Sequence, residues 1–132
     1  MNKQEYIQKQ RDFLAEKAAE PGVKALDRGI LYKVLASGKP GAPAPNRNSV
    51  VTVHYTGRTI NGKKFDSSLG STAPAMRLRD LIQGWQIALP HMHVGDKWEL
   101  YLPAEMAYGR FAQPGIPANS TLIFTIQLLA VN

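Results

Sequence analysis

From Val51 the chain alternates, with Val51, Val53 and Tyr55 on one side and Thr52, His54 and Thr56 on the other. That period of two is the mark of a strand with one buried face. Two further segments share it: Lys97-Trp98-Glu99-Leu100-Tyr101-Leu102, closed by Pro103, and a last run through Leu122, Phe124, Ile126 and Leu128. Gly29 to Leu35 reads as an earlier strand, and Lys63 to Phe65 begin a return strand after Asn61-Gly62. Asn-Gly predicts a two-residue hairpin turn, because both positions tolerate positive φ. The period lengthens in two places. Residues 2–20 carry Tyr6, Ile7, Phe13, Leu14 and Ala18 as a helical stripe, and Pro21-Gly22 ends it. Leu81, Ile82, Trp85, Ile87 and Ala88 predict a short buried helix stopped by Pro90.

The rest reads as connection. Pro40, Pro43 and Pro45 mark an exposed loop, residues 67–77 are loop-like, and residues 109–120 form a loop containing Gly and Pro. Antiparallel strands with one internal helix predict an α+β domain, a single sheet curled over that helix. An isolated helix as long as the N-terminal one is marginal in water, so its stripe must dock on the rest of the chain or on a second copy.

Composition narrows the chemistry. A chain of 132 residues fits one domain that buries roughly two-thirds of its unfolded surface. With no cysteine there is no disulfide, no thiolate chemistry and no cysteine-ligated zinc. The net charge is +6, but nine of the sixteen Lys and Arg lie in the first fifty residues beside five acids, without a clustered stripe. That pattern is a solvated basic surface rather than a nucleic-acid footprint. No apolar run approaches the roughly 18 residues of a membrane span, so no membrane partner is expected. The first twenty residues are charged throughout and do not read as a signal peptide. A cytoplasmic protein is expected if Met1 is the genuine start, and a periplasmic one if a leader was removed.

Phosphate-cradling glycine motifs and a nucleophile elbow are absent. His91 and His93 have a ligand-like spacing but no obvious third ligand, so no metal or other cofactor is expected. The carboxylates are scattered, which gives no support to two-carboxylate hydrolysis. What remains is a set of aromatics in short phrases, with Asp66 beside one of them. If the rings converge they build a concave apolar pocket suited to an apolar ring. Any one of them taken alone reads as core.

The phrases decide between those readings. Val51-Thr52-Val53-His54-Tyr55-Thr56-Gly57, Phe65-Asp66-Ser67-Ser68, Leu81-Ile82-Gln83-Gly84-Trp85, Val94 to Pro103, Ala107-Tyr108-Gly109 and Ile116 to Phe124 occur in order. Over residues 48–131 the chain resembles the FKBP-type peptidyl-prolyl cis-trans isomerases, and over Gly22 to Leu35 the bacterial members with an N-terminal helical extension. The resemblance implies a half-wrapped antiparallel β-sheet around a short helix, preceded by an N-terminal helix. It divides the chain into an extension over residues 1–22 and an isomerase domain over 23–132.

The same resemblance implies a catalytic set of Tyr55, Asp66, Trp85, Tyr108 and Phe124. Trp85 would be the floor under a substrate proline, with Tyr55, Phe65 and Phe124 as walls. Leu81 and Ile82 would form a side, the Ile82 N–H donating to a substrate carbonyl and the Tyr108 hydroxyl lying near another. Met76 and the flap residue Ile116 complete the substrate-binding set. The implied partners are proline-containing polypeptides and macrolide inhibitors, acting on a monomer or on a dimer built through the N-terminal helix. Two departures stand out. Met76 replaces the aromatic of many relatives and softens one wall, which weakens the case for rigid macrolides. The loop Gly109-Arg110-Phe111-Ala112-Gln113-Pro114-Gly115-Ile116 is about one residue shorter than common versions. A non-catalytic binding module and a chaperone-like holder are the alternative functions.

Overall fold

The computed structural model describes residues 1–132. Helix α1 spans Lys3–Ala18, and strands β1 (Val23–Ala25), β2 (Leu31–Ala36), β3 (Val50–Thr59), β4 (Lys64–Ser67) and β5 (Ala75–Arg77) follow. Helix α2 (Gln83–Ala88), β6 (Lys97–Leu102) and β7 (Leu122–Val131) complete the order. All strand pairs are antiparallel and form one sheet in the order β1-β2-β6-β7-β3-β4, with β5 beside β3. The architecture is the α+β arrangement that the pattern predicts.

The alternation sorts the sheet into two faces. Val51 and Val53 of β3, Trp98, Leu100 and Leu102 of β6, and Leu122, Phe124, Ile126 and Leu128 of β7 join Trp85 and Ala88 of α2 in a core of 17 buried residues. On the other face the buried apolar residues are Leu31, Tyr101 and Ile123, and Phe13 and Leu14 of α1 with Val23 pack against them. Phe13 and Leu14 of the α1 stripe thus dock on the chain's own sheet. Asn2 caps the helix by accepting a hydrogen bond from the Glu5 N–H at 2.9 Å.

Several local readings differ from the observed chain. Between β3 and β4 the Gly62 N–H donates to the Thr59 carbonyl and the Thr59 N–H to that of Lys63, so three residues form the turn instead of two. Only Gly62 takes a positive φ, 86°, because the Asn61 side chain is used to accept from the Lys63 N–H. Residues 75–77, expected as loop, pair with Val50 to Thr52 as β5. Helix α2 begins at Gln83, so Leu81 and Ile82 precede it. Pro90 does not stop the segment; it sits early in a 3₁₀ turn over Leu89–His91, where its missing N–H costs nothing. The one buried residue of α1 is the polar Gln10, while Ala18 of the expected stripe is exposed.

Candidate active site

The centre of the site is Trp85, 3% exposed, on the buried face of α2. Edge-to-face contacts radiate from it. Its ring lies 5.4 Å from Tyr55 at 83° and 5.2 Å from Phe124 at 89°, and Phe124 meets Phe65 at 5.7 Å and 89°. These are the spacings and tilts aromatic pairs prefer. Four rings from β3, β4, α2 and β7 thus form one continuous arc.

Two backbone features permit the arc. A Cβ built on Gly57 would lie 2.5 Å from the Phe65 ring, so a side chain at this strand position would push that wall out. In the β3–β4 ladder Gly57 pairs with Asp66 and Arg58 with Lys64, leaving Phe65 as an extra, unpaired residue. Regular alternation would send Phe65 and Asp66 to opposite faces. The bulge lets both adjacent side chains line the same cavity.

That cavity has a volume of about 260 Å³ and is lined by Tyr55, Phe65, Asp66, Met76, Asp80, Leu81, Ile82, Trp85, Tyr108 and Phe124. Nine of the ten residues singled out by sequence are therefore brought together. Ile116 is not among them. It is 5% exposed and belongs to the core, because the Gln113–Ile116 backbone bridge folds the flap so that its side chain turns inward. Asp80 was missed; among scattered carboxylates nothing in its neighbourhood distinguishes it, and only the tertiary fold puts it in the lining.

The polar groups are few and oriented. The Tyr55 hydroxyl donates to Asp66 Oδ2 at 2.8 Å. Burial, and then this hydrogen bond, push the Tyr55 hydroxyl up to about 12, so it is a firm donor at neutral pH. The Ile82 N–H has no acceptor within the chain, and the Tyr108 hydroxyl makes no hydrogen bond. Both donors are therefore uncommitted at the cavity wall. Gln86, also missed by sequence reasoning, holds the Leu81–Ile82 segment. Its Nε2 donates to the Leu81 carbonyl at 2.7 Å and to that of Arg79 at 3.2 Å, while Arg47 donates to its Oε1 at 3.1 Å. Buried Ser68 donates to the Tyr55 carbonyl and accepts from the Tyr55 N–H at 2.7 Å, tying the loop after β4 to the strand behind it.

The cavity lining offers no nucleophile with a base beside it; the Ser68 hydroxyl, which meets His54 Nδ1 at 2.9 Å, is buried and lies outside that lining. The lining offers an apolar enclosure, one tyrosine–carboxyl pair and two free donors, which is equipment for binding and reshaping a neutral ligand.

Comparison with known proteins agrees with this geometry. The family model described as FKBP-type peptidyl-prolyl cis-trans isomerase matches residues 41–129, and one described as the domain amino terminal to it matches residues 1–34. The Mip isomerase of Coxiella burnetii is 45% identical over 126 residues, 94% of this chain and 54% of that protein. FkpA of Escherichia coli is 40% identical over 124 residues, 93% of this chain and 45% of the relative. The chain thus spans about half the length of these curated relatives. The crystal structure of a peptidyl-prolyl cis-trans isomerase from Pseudomonas syringae pv. tomato superposes with a TM-score of 0.92 at 38% identity, covering 100% of this chain and 97% of the other. Matching phrases, shared fold and an aromatic cavity in the same segments lead to one conclusion: the chain belongs to the FKBP-type peptidyl-prolyl cis-trans isomerase family.

Proposed function

We propose that this chain catalyses cis-trans isomerisation of X-Pro bonds in polypeptides by non-covalent binding of the proline in the Trp85 cavity. The observation that carries this reading is the arc of four edge-to-face rings around a cavity of about 260 Å³, with only Asp66, Asp80, the Tyr55 and Tyr108 hydroxyls and the Ile82 N–H as polar neighbours. An X-Pro bond isomerises unaided over tens to hundreds of seconds, because the amide must give up its partial double bond. The planar amide is more charge-separated than the twisted one. An apolar enclosure disfavours the planar ground state relative to the twisted transition state. The Ile82 N–H and the Tyr108 hydroxyl then hold the flanking carbonyls, so binding energy is used in the twisted geometry. No proton moves and no covalent intermediate forms. A barrier lowered by about 5–6 kcal/mol corresponds to roughly ten-thousandfold acceleration.

A protease-coupled assay on a short X-Pro peptide tests this directly. Acceleration over the uncatalysed rate is expected, and a folded protein that leaves the rate unchanged would overturn it. The docking of Phe13 and Leu14 on the chain's own sheet supports a monomeric 132-residue chain. Light scattering on the parent and on Leu14→Glu checks this: a dimer that the substitution splits would replace the monomer reading.

A further inference from the structure

A second hollow, larger than the aromatic cavity, lies elsewhere on the molecule. It has a volume of about 690 Å³ and lies between α1, the β3–β4 turn and the flap. Two lysines line it, Lys9 from α1 and Lys63 from the turn, and no Asp or Glu does. Neither amine takes part in an ion pair. Two cations and no anion in the lining of a concave site favour positive potential there. The half-buried Ile60 and the inward-turned Ile116 give it an apolar floor, and the Asn61 and Gln113 side-chain amides stand at its edge. Asn61 uses its Oδ1 within the turn, while its Nδ2 makes no hydrogen bond.

The hollow is built in advance. Thr121 N–H donates to the Gln10 Oε1 at 2.8 Å, both residues being buried. The Tyr6 hydroxyl meets Ser120 Oγ at 2.5 Å, and Ser120 donates to the Pro117 carbonyl at 2.6 Å. These bonds fasten α1 to the C-terminal end of the flap. The hollow also shares a wall with the aromatic cavity: Gly115 lines it, and a Cβ there would lie 3.2 Å from the Phe65 Cβ. A chain whose proline sits against Phe65 has only the flap to cross.

We propose that this hollow is an exosite for an acidic stretch of the substrate polypeptide, several residues away from the proline. A lining with two lysines and no acid selects carboxylates, free amides suit main-chain groups, and the isoleucine floor accommodates the intervening side chains. A nucleic acid fits less well, since the lining holds no arginine and its one aromatic, Tyr6, is already bonded to Ser120. The inference rests on the isomerase reading, and its test separates the two.

Peptides sharing one X-Pro core are given a Glu-Glu-Glu or a Gln-Gln-Gln tail on either side. A spacer of about five residues reaches roughly 17 Å. The Glu-tailed peptide on one side is expected to show about three- to tenfold higher kcat/KM through KM, the range of a few exposed charge contacts. That gain should vanish in a Lys9→Glu/Lys63→Glu double variant while turnover of the Gln-tailed peptide stays unchanged. Equal kcat/KM for the two tails on both sides, or a gain that survives the double variant, overturns the exosite. No turnover of any peptide by the folded parent overturns the isomerase reading instead. The exosite is then judged by NMR titration with a proline-free Glu-rich peptide. Amide shifts confined to residues around Lys9, Asn61 and Lys63 support it. Their absence, or equal shifts from an oligonucleotide of the same charge, refutes it.

Discussion

The two faces of the sheet are stabilised differently. The inner face holds 17 buried residues around Trp85 and opens into the aromatic cavity. The outer face buries an apolar cluster of three, and α1 reaches it through a mixture of apolar and polar contacts. Phe13 lies 6.4 Å from the Tyr101 ring and Lys17 Nζ lies 5.3 Å above it. Tyr101 donates to Glu99, and Arg58 pairs with that carboxylate at 3.4 Å. Both faces contain a tyrosine bonded to a carboxyl group, but only Tyr55 does so at the edge of a cavity. The inner face thus joins stability to ligand binding, whereas the outer face fixes the position of a helix and, through it, the flap.

The sharpest way to break this contrast is a pair of large-to-small substitutions. Trp85→Leu removes the cavity floor, and kcat/KM on an X-Pro peptide should fall by about 100-fold or more, equivalent to roughly 2.7 kcal/mol of transition-state stabilisation. Tyr101→Leu should cost about 2–4 kcal/mol of stability by denaturant unfolding. The protein that remains folded should keep most of its turnover. Equal losses of turnover in both variants would show that the faces are not separable.

Gln10→Leu tests the polar clasp. It strands the buried Thr121 N–H, which should cost about 1–3 kcal/mol in a denaturant titration. A leucine that instead left stability unchanged would mean that the clasp contributes little and that apolar packing alone holds α1.

The smallest effect is expected in alkali. Folding raises Tyr55 to about 12, burial being the larger cause, and raises Tyr101 further still for the same reason and through Glu99. A raised value means the folded chain holds the phenol proton more tightly than the unfolded one. The related stability is complete below about pH 10 and is lost as pH rises through 10 towards 12. Melting temperature recorded from pH 9 to 12 should therefore fall, less steeply in Tyr101→Phe and slightly less steeply in Tyr55→Phe. Parallel curves for parent and variants would refute this account.

Much of this molecule was legible because alternation is local. Val51, Val53, Leu122, Phe124, Ile126 and Leu128 declare an inner face by spacing alone, and the phrases around Tyr55, Trp85 and Tyr108 marked segments that meet in one cavity. Three kinds of feature escaped. Strand β5 lies in a stretch of turn-forming residues, and pairing with Val50 to Thr52 overrides that propensity. Gln10 and Gln86 read as solvated polar residues, although each satisfies backbone groups of a distant or irregular segment. Asp80 carries no distinguishing pattern of its own.

The sequence by itself determined the longer strands, which of their faces is apolar, the helical stripe of α1, and which rings are available for a pocket. Only the tertiary structure decided how those rings are aimed. The extra residue in β4 turns Phe65 and Asp66 to the same side, whereas the flap's own bridge turns Ile116 away. A period of two or of 3.6 is written into neighbouring residues. A bulge or an inward turn is chosen by what packs across from it, here Gly57 against Phe65 and α1 against the flap.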